Sequence, residues 1–318
     1  MRVKYCFRFC LNDATLRKTC FANSTSGLNI MHIIHIAVDR GLMNEYLSRI
    51  TKLLNKKYGK DVSVYDEAFL SRTIEKRWVA VEATNADKYY DYLKGNSQEA
   101  HDLMRSFQIN FTQFFRDTMT FAYLEQDILP SIVFNKTNGN EIRVWSAGCS
   151  SGQEPYSLAM LLSDINETSE KEIRFRIFAT DISAEALDKA REGIYDESAI
   201  QNVKKKHLDK YFIKLGKKYK IIPELKRHIE FSIYDLSDPS TASPPGSIFG
   251  DFDVIMCSNV CIYYKGEFSE LIIKKIQNAV SDDGYFVTSE AEKSLFQSAF
   301  NKKTTVAHIP IFRNNTRR

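Results

Sequence analysis

Long apolar runs are missing from this chain. None of its 318 residues belongs to a stretch near the roughly 20 apolar residues a helix needs to cross a bilayer, so a protein not embedded in a membrane is expected. Charge of one sign is scarce too. Forty-four Lys and Arg stand against 40 Asp and Glu, and a net +4 sets up no field that calls for nucleic acid. The local clusters Lys204–Lys206 and Lys217–Lys218 read as a solvated helix end and a hairpin tip. Of only six cysteines, those at 6, 10 and 20 lack the close third spacing of an iron–sulfur site, and no metal site is expected. Those at 149, 257 and 261 fall in an expected sheet core and turn, which suits a reduced, cytoplasmic setting. A Gly-x-Gly-x-x-Gly turn is absent as well, which counts against a dinucleotide-dependent oxidoreductase.

What is present is a strand, a glycine turn and a helix in sequence. The apolar run Ile142–Ala147 ends at Gly148, and Gly152 follows four residues on. Both glycines can take a positive φ and let a ligand approach the backbone. Pro155 suits a first helical turn. The next apolar run, Phe175–Thr180, ends on Asp181, a carboxylate placed to accept both hydroxyls of a ribose. Together these read as a nucleotide-like cofactor site.

Organisation changes along the chain. Residues 1–40, with Asp13 the single acid of the first 30, are expected to form a poorly ordered extension. Residues 41–134 read as a helical domain. Its helices are a first one stopped by Gly59, a second capped by Ser63 that buries Phe69, Leu70, Ile74 and Trp78, short ones from Asn85 and Ser97, and one capped by Asp117 that ends near Pro130. Asn135–Asn140 has turn composition and marks a boundary. From 135 to 318 apolar strands (142–146, 174–180, 229–233, 252–257, 285–289, 304–312) alternate with helices (154–165, 184–191, 200–210, 267–280). That alternation predicts an α/β fold with a mainly parallel sheet, an antiparallel edge near Pro310, and helices on both faces. Tyr211–Ile222 breaks the rhythm around Gly216-Lys217-Lys218, which suggests an inserted β-hairpin subdomain over about 207–228.

Four clusters are expected to meet where the first and fourth sheet strands end: Asn110–Arg116, the glycine turn with Glu154, Asp181, and Asp253–Tyr264. Each residue has a plainer reading. Asn110 and Thr112 suit helix caps, Phe114 and Phe115 core, Arg116 a surface ion pair and Asp235 a turn; Tyr263 and Tyr264 suit packing with a wet hydroxyl, and Cys149 and Cys257 core filling. It is their joint occurrence that favours a site.

Asn-x-Thr-x-Phe-Phe-Arg (110–116), Trp-Ser-Ala-Gly-Cys-Ser-Ser-Gly-Gln-Glu-Pro-Tyr-Ser (145–157) and Ala-Thr-Asp-Ile-Ser (179–183) resemble the CheR-type chemotaxis receptor methyltransferases. So do Asp253–Tyr264 and Ser281–Phe286 leading into Ser289-Glu290, and the likeness runs from about Val64 to Arg313. The resemblance implies an S-adenosylmethionine-dependent methyltransferase with a Rossmann-like domain behind a small helical one. Its activity would be methylation of glutamate carboxylates in the cytoplasmic helical domain of methyl-accepting receptors. By the same resemblance Asn110, Thr112 and Arg116 contribute to the cofactor pocket, Glu154 faces the cofactor's amino acid end, Asp181 its ribose, and Asp235 with Leu236 its adenine. Gly148, Ser258 and Asn259 complete the expected cofactor contacts, while Arg116 and Tyr263 are the expected catalytic pair. Four positions depart from the pattern: Ser258 replaces an arginine, Gln153 a glutamate, Tyr264 a phenylalanine, and Asp235 the asparagine of some members. Ser258 keeps two other readings open, a cofactor-sensing scaffold without transfer and a methyltransferase with a different substrate. Arg72, Lys76 and Arg77 could form a basic face for the receptor helix, a pattern that solvation explains equally well, and the short hairpin Lys214–Lys220 favours direct docking without a tether.

Overall fold

The computed structural model describes residues 27–109, 112–136, 140–169, 173–247, 250–300 and 308–314, with side chains from Met43 onward. The extension expected over 1–40 lies outside the described residues as far as Ser26, and the backbone is helical over Gly27–Tyr58. The chain divides into two compact units, Met1–Ile50 and Thr51–Arg318. All that follows concerns the second.

Among the described residues nine strands run in chain order: β1 Ile142–Ala147, β2 Phe175–Asp181, β3 Ile194–Asp196, β4 Phe212–Leu215, β5 Lys218–Ile221, β6 Ile229–Ile233, β7 Phe252–Met256, β8 Val280–Val287 and β9 Ile311–Arg313. Six form the main sheet in the order β6-β2-β1-β7-β8-β9, all parallel except β9, which pairs antiparallel with β8. The chain winds outward from β1 in both directions, so the crevice at the carboxyl ends of β1 and β7 is the switch point where α/β sheets bind ligands. The mainly parallel sheet and its antiparallel edge are borne out, although β8 starts at Val280 and not at 285. Residues 304–307 of the last expected strand lie outside the described residues.

Alternation along the strands explains the layers. Val144 of β1, Ile177 of β2 and Val254 of β7 enter one core with Leu158, Leu161 and Leu162 of the helix Gln153–Thr168. Trp145 and Phe178, one residue on in β1 and β2, and Ile255 of β7 enter a second core with Ile272 and Ile276 of the helix Gly266–Ala279. A strand buried on both faces reads as a continuous apolar run, which is why these were visible in the sequence.

The inserted hairpin is β4 and β5, and it carries a strand the sequence did not announce. β3 pairs antiparallel with β5, making a three-stranded sheet β3-β5-β4. The expected helix 200–210 is divided into a 3₁₀ turn at Glu197–Ile200 and a helix at Lys205–Tyr211.

The helical part differs from expectation at its ends. Asp66, not Ser63, caps the helix Glu67–Ala80, since its carboxylate accepts the N–H groups of Ala68 and Phe69. Phe69, Leu70 and Ile74 of that helix are buried, whereas Trp78 is half-buried and donates its indole N–H to the Ala83 carbonyl. Asp117 caps Thr118–Tyr123 as expected, but the helix does not stop near Pro130. A π turn at Leu124–Ile128 leads into Leu129–Asn135 with Pro130 in its first turn, where a missing N–H costs nothing.

Candidate active site

β1 ends at Ala147, and the chain must turn at once without blocking the strand ends. Gly148 does so at φ +80°, and a Cβ there would stand 2.5 Å from Val260 Cγ2. Gly152 follows at φ +92°, with Ala190 2.8 Å from where its Cβ would be. Gly148 and Cys149 both donate their N–H to the Thr180 carbonyl at the end of β2 (2.8 and 2.9 Å), which ties the turn to the neighbouring strand. β3 braces it from below, its Tyr195 hydroxyl donating to the Ser151 carbonyl at 2.7 Å.

Over these strand ends lies a cavity of about 520 Å³. Its lining includes Thr112, Arg116, Gly148, Glu154 and Asp181 together with Leu236, Ser258, Asn259 and Tyr263. The expected catalytic pair therefore shares one wall system, although the two residues are 147 positions apart in the chain (263 minus 116). Asn110 lies outside the described residues. Asp235 is not among the residues that line this cavity, and its Oδ1 accepts the backbone N–H and hydroxyl of Ser237 at 2.8 and 2.6 Å, the turn role first weighed against it. Only Leu236 of that pair reaches the cavity.

Two acids set the electrostatics. Glu154 sits in the first turn of the helix Gln153–Thr168 and accepts a hydrogen bond from Ser146 Oγ at 2.6 Å. Burial lifts its carboxyl from the ordinary 4.5 to about 7, against the Ser146 hydrogen bond and the Arg116 charge, with Glu292 adding to the rise. Asp181 is also raised by burial, opposed by backbone N–H groups of Ser183, Ser150 and Ile182. Its two oxygens each take one such bond, from Ser150 at 2.8 Å and Ser183 at 2.9 Å, leaving lone pairs for further donors. Ser150 Oγ, beside it, is buried without a partner among the described residues.

Tyr263 is raised by burial, and the charge of Arg116 acts against the rise. Its ring meets Phe69 of the helix Glu67–Ala80 at 4.9 Å. Tyr65 and Phe107 line the cavity as well and were not singled out in the sequence. Tyr65 pairs with Tyr264 in an antiparallel bridge, and their rings are 5.2 Å apart. The Cys149 and Cys257 thiols are buried core fillers whose pKa values are pushed up, chiefly by burial for Cys149 and by the neighbouring Cys261 for Cys257.

Glu292 also escaped sequence reading. It is fully buried and receives the N–H groups of Asn259, Val260, Cys261 and Ile262. Its Glu-Ala-Glu-Lys surroundings look like a solvated helix start, so no local signal marks it.

The residues present suit an adenosyl cofactor. Gly148 brings bare backbone to the cavity wall, Asp181 keeps acceptor capacity for a diol, and Glu154 is a buried acid on the same wall. Comparison with known proteins agrees. Residues 45–107 match the all-alpha domain of CheR methyltransferases, and residues 110–308 match the SAM binding domain of CheR methyltransferases. A chemotaxis protein methyltransferase of Borreliella burgdorferi is 31% identical over 258 residues, covering 79% of this chain and 89% of that one. Chemotaxis protein methyltransferase 1 of Pseudomonas aeruginosa is 36% identical over 188 residues, covering 58% of this chain and 66% of its own. An uncharacterized 104.1 kDa protein of Rhodobacter capsulatus is 30% identical over 248 residues, and there the match covers 78% of this chain but only 25% of the relative. This chain belongs to the CheR methyltransferase family.

Proposed function

We propose that the chain transfers a methyl group from S-adenosylmethionine to glutamate side chains of methyl-accepting chemotaxis receptors, in the cytoplasm, giving methyl esters. The observation that carries this reading is the single cavity in which Arg116 and Tyr263 face the same space as Glu154 and Asp181. When bound, the cofactor supplies a methyl group activated by a sulfonium, and the protein's task is alignment.

Glu154 would hold the ammonium of the cofactor's amino acid end, and Asp181 its ribose hydroxyls. Gly148 brings bare backbone to the cavity wall, and Leu236 would offer an apolar surface beside the base. On the acceptor side a substrate glutamate, with an ordinary pKa of about 4.3, is already ionised at neutral pH. It needs no general base, which suits a cavity whose wall has neither histidine nor cysteine among the described residues. Arg116 would grip one or both carboxylate oxygens and Tyr263 would orient the group; such proximity supplies roughly 7–11 kcal/mol of a barrier when the geometry is good. The grip must not favour the ground state over the transition state, so a single guanidinium beside a half-buried phenol is better suited than a cluster of cations.

Transfer of label from tritiated cofactor to receptor fragments tests the proposal. Base-labile label is expected. Cofactor binding without any label would favour the sensing scaffold, and base-stable label a different acceptor.

A further inference from the structure

Beneath the acceptor wall of the cavity lies a buried carboxylate that the transfer reading leaves without a task. The segment after β7 turns sharply, with Asn259 at φ +60° followed by Val260 in the right-handed region. That left-handed to right-handed step points successive N–H groups inward as a nest for an anion. The anion is supplied from within the chain. Glu292 Oε2 accepts from Asn259 N at 2.5 Å, and Oε1 accepts from Val260 N at 2.8 Å, Cys261 N at 2.6 Å and Ile262 N at 3.3 Å. Ser289 Oγ donates to Oε2 at 2.7 Å, and Thr288 Oγ1 stands 3.1 Å from the same oxygen and 2.8 Å from the Cys257 carbonyl.

We propose that Glu292 is a positioning residue for the transfer site: by filling this nest it fixes the turn that carries Asn259, Val260 and Tyr263 to the cavity. The inference rests on the proposed transfer for its kinetic consequences, but not for its geometry. Two dimensions of the site depend on that turn. Val260 packs where a Cβ of Gly148 would be, so the turn's position sets the width of the glycine cradle. Tyr263 lies in the 3₁₀ turn Cys261–Tyr263 that begins inside the nest, so the same carboxylate sets where the phenol stands relative to Arg116. A neutral amide in place of the carboxylate offers one acceptor to N–H groups that now bind two, and its own NH₂ must face a donor. A left-handed non-glycine turn with its anion removed has no reason to persist.

The experiment compares the full chain with its Glu292→Gln and Glu292→Asp variants. Backbone hydrogen exchange of residues 258–263, without any ligand, should accelerate at least about tenfold in Glu292→Gln, since the amides of Asn259, Val260, Cys261 and Ile262 lose carboxylate acceptors and the turn that holds their neighbours loosens. Binding of S-adenosylhomocysteine, measured by calorimetry, should weaken by about tenfold or more. The kcat should fall on the order of 10–100-fold with the receptor-fragment KM changed by less than about threefold. Glu292→Asp should recover part of both losses. A Glu292→Gln protein with a lowered melting temperature but unchanged exchange at 258–263, affinity and kcat would overturn the proposal, because that is the signature of stability alone. If Glu292→Gln does not fold, Ser289→Ala removes one donor that aims the carboxylate and should move the same three readouts in the same directions; no movement would overturn the proposal. If the unaltered chain fails to bind S-adenosylhomocysteine, the transfer reading falls, and the exchange measurement still decides the role of Glu292.

Discussion

Arg116 is placed between two demands. Its charge opposes the rise of both Glu154 and Tyr263, the residues proposed to face the cofactor and the acceptor. Arg116→Ala should lower kcat by at least about a hundredfold, the scale on which lost alignment acts, while S-adenosylhomocysteine still binds in calorimetry. Unchanged turnover would remove the guanidinium from the reaction. Asp181→Ala should act oppositely, weakening cofactor binding by about 1.5–3 kcal/mol for each charge-assisted hydrogen bond lost. Part of that loss will come through the turn, because Asp181 also holds the N–H groups of Ser150 and Ser183. Glu154 gives a pH signature. Its carboxyl is lifted from 4.5 to about 7, so the folded chain keeps a proton that the unfolded chain releases, and its contribution to stability falls as pH rises through that window. A bound ammonium favours the ionised form, so cofactor affinity should instead rise between about pH 6 and 8 by several-fold, and Glu154→Gln should flatten the profile.

Elements inherit these demands through their contacts. The helix Gln153–Thr168 presents Glu154 at its start, while Asp164 toward its end anchors the hairpin insert. Asp164 accepts from Lys206 at 3.1 Å, Lys210 at 2.8 Å and Tyr211 at 2.6 Å, and lies 2.8 Å from His207 Nε2. Burial alone would raise its carboxyl, but Lys210, Tyr211, His207 and Lys206 together hold it well below the usual range. Such a group stabilises the fold above its unfolded pKa and loses that contribution as pH falls through the acid range. Asp164→Ala should therefore cost about 2 kcal/mol at neutral pH, and the difference should begin to shrink only as pH falls below the ordinary carboxylate value of about 3.9, read as melting temperature against pH. The same contacts explain what the sequence could and could not reveal. β1, β2 and β7 were legible because strands buried on both faces are apolar throughout, and the glycine turn because only glycine tolerates Val260 and Ala190 so close. β3 was not, since three residues with an exposed Ile194 become a strand only by pairing with β5. Ser63 and Asp66 are equally good caps in sequence. Asp66 holds the post because the neighbouring Tyr65 bridges to Tyr264, and the Asp66 N–H is bound to the Tyr263 carbonyl at 2.9 Å. Glu292 was invisible for the same reason, as the backbone amides it binds lie 30 to 33 residues upstream.

At the scale of the whole molecule, those bridging contacts mean that the helical segment is part of the site and does more than carry a docking face. Lys265 N–H binds the Val64 carbonyl at 2.9 Å, and Tyr65 is stacked on Phe107 at 5.7 Å while meeting Tyr264 from the other side of the cavity. Burial, with the charge of Asp235 adding, pushes the Tyr65 hydroxyl up to about 12, against its hydrogen bond with Tyr264, and Asp181 contributes to the rise. Tyr65 lines the cavity, although it precedes the residues 110–308 that match the SAM binding domain. Two accounts of the helical segment then diverge. If it only presents a surface to the receptor, Tyr65→Ala should lower stability by about 3–5 kcal/mol, the usual cost of deleting a buried aromatic ring, and leave cofactor affinity in the folded protein untouched. If it closes the site, the same substitution should also weaken S-adenosylhomocysteine binding several-fold, and Tyr65→Phe, which keeps the ring but not the hydroxyl, should lose affinity with little loss of melting temperature. The second outcome is expected, because the hydroxyl is the part of Tyr65 coupled to the acids while its ring is the part committed to Phe107.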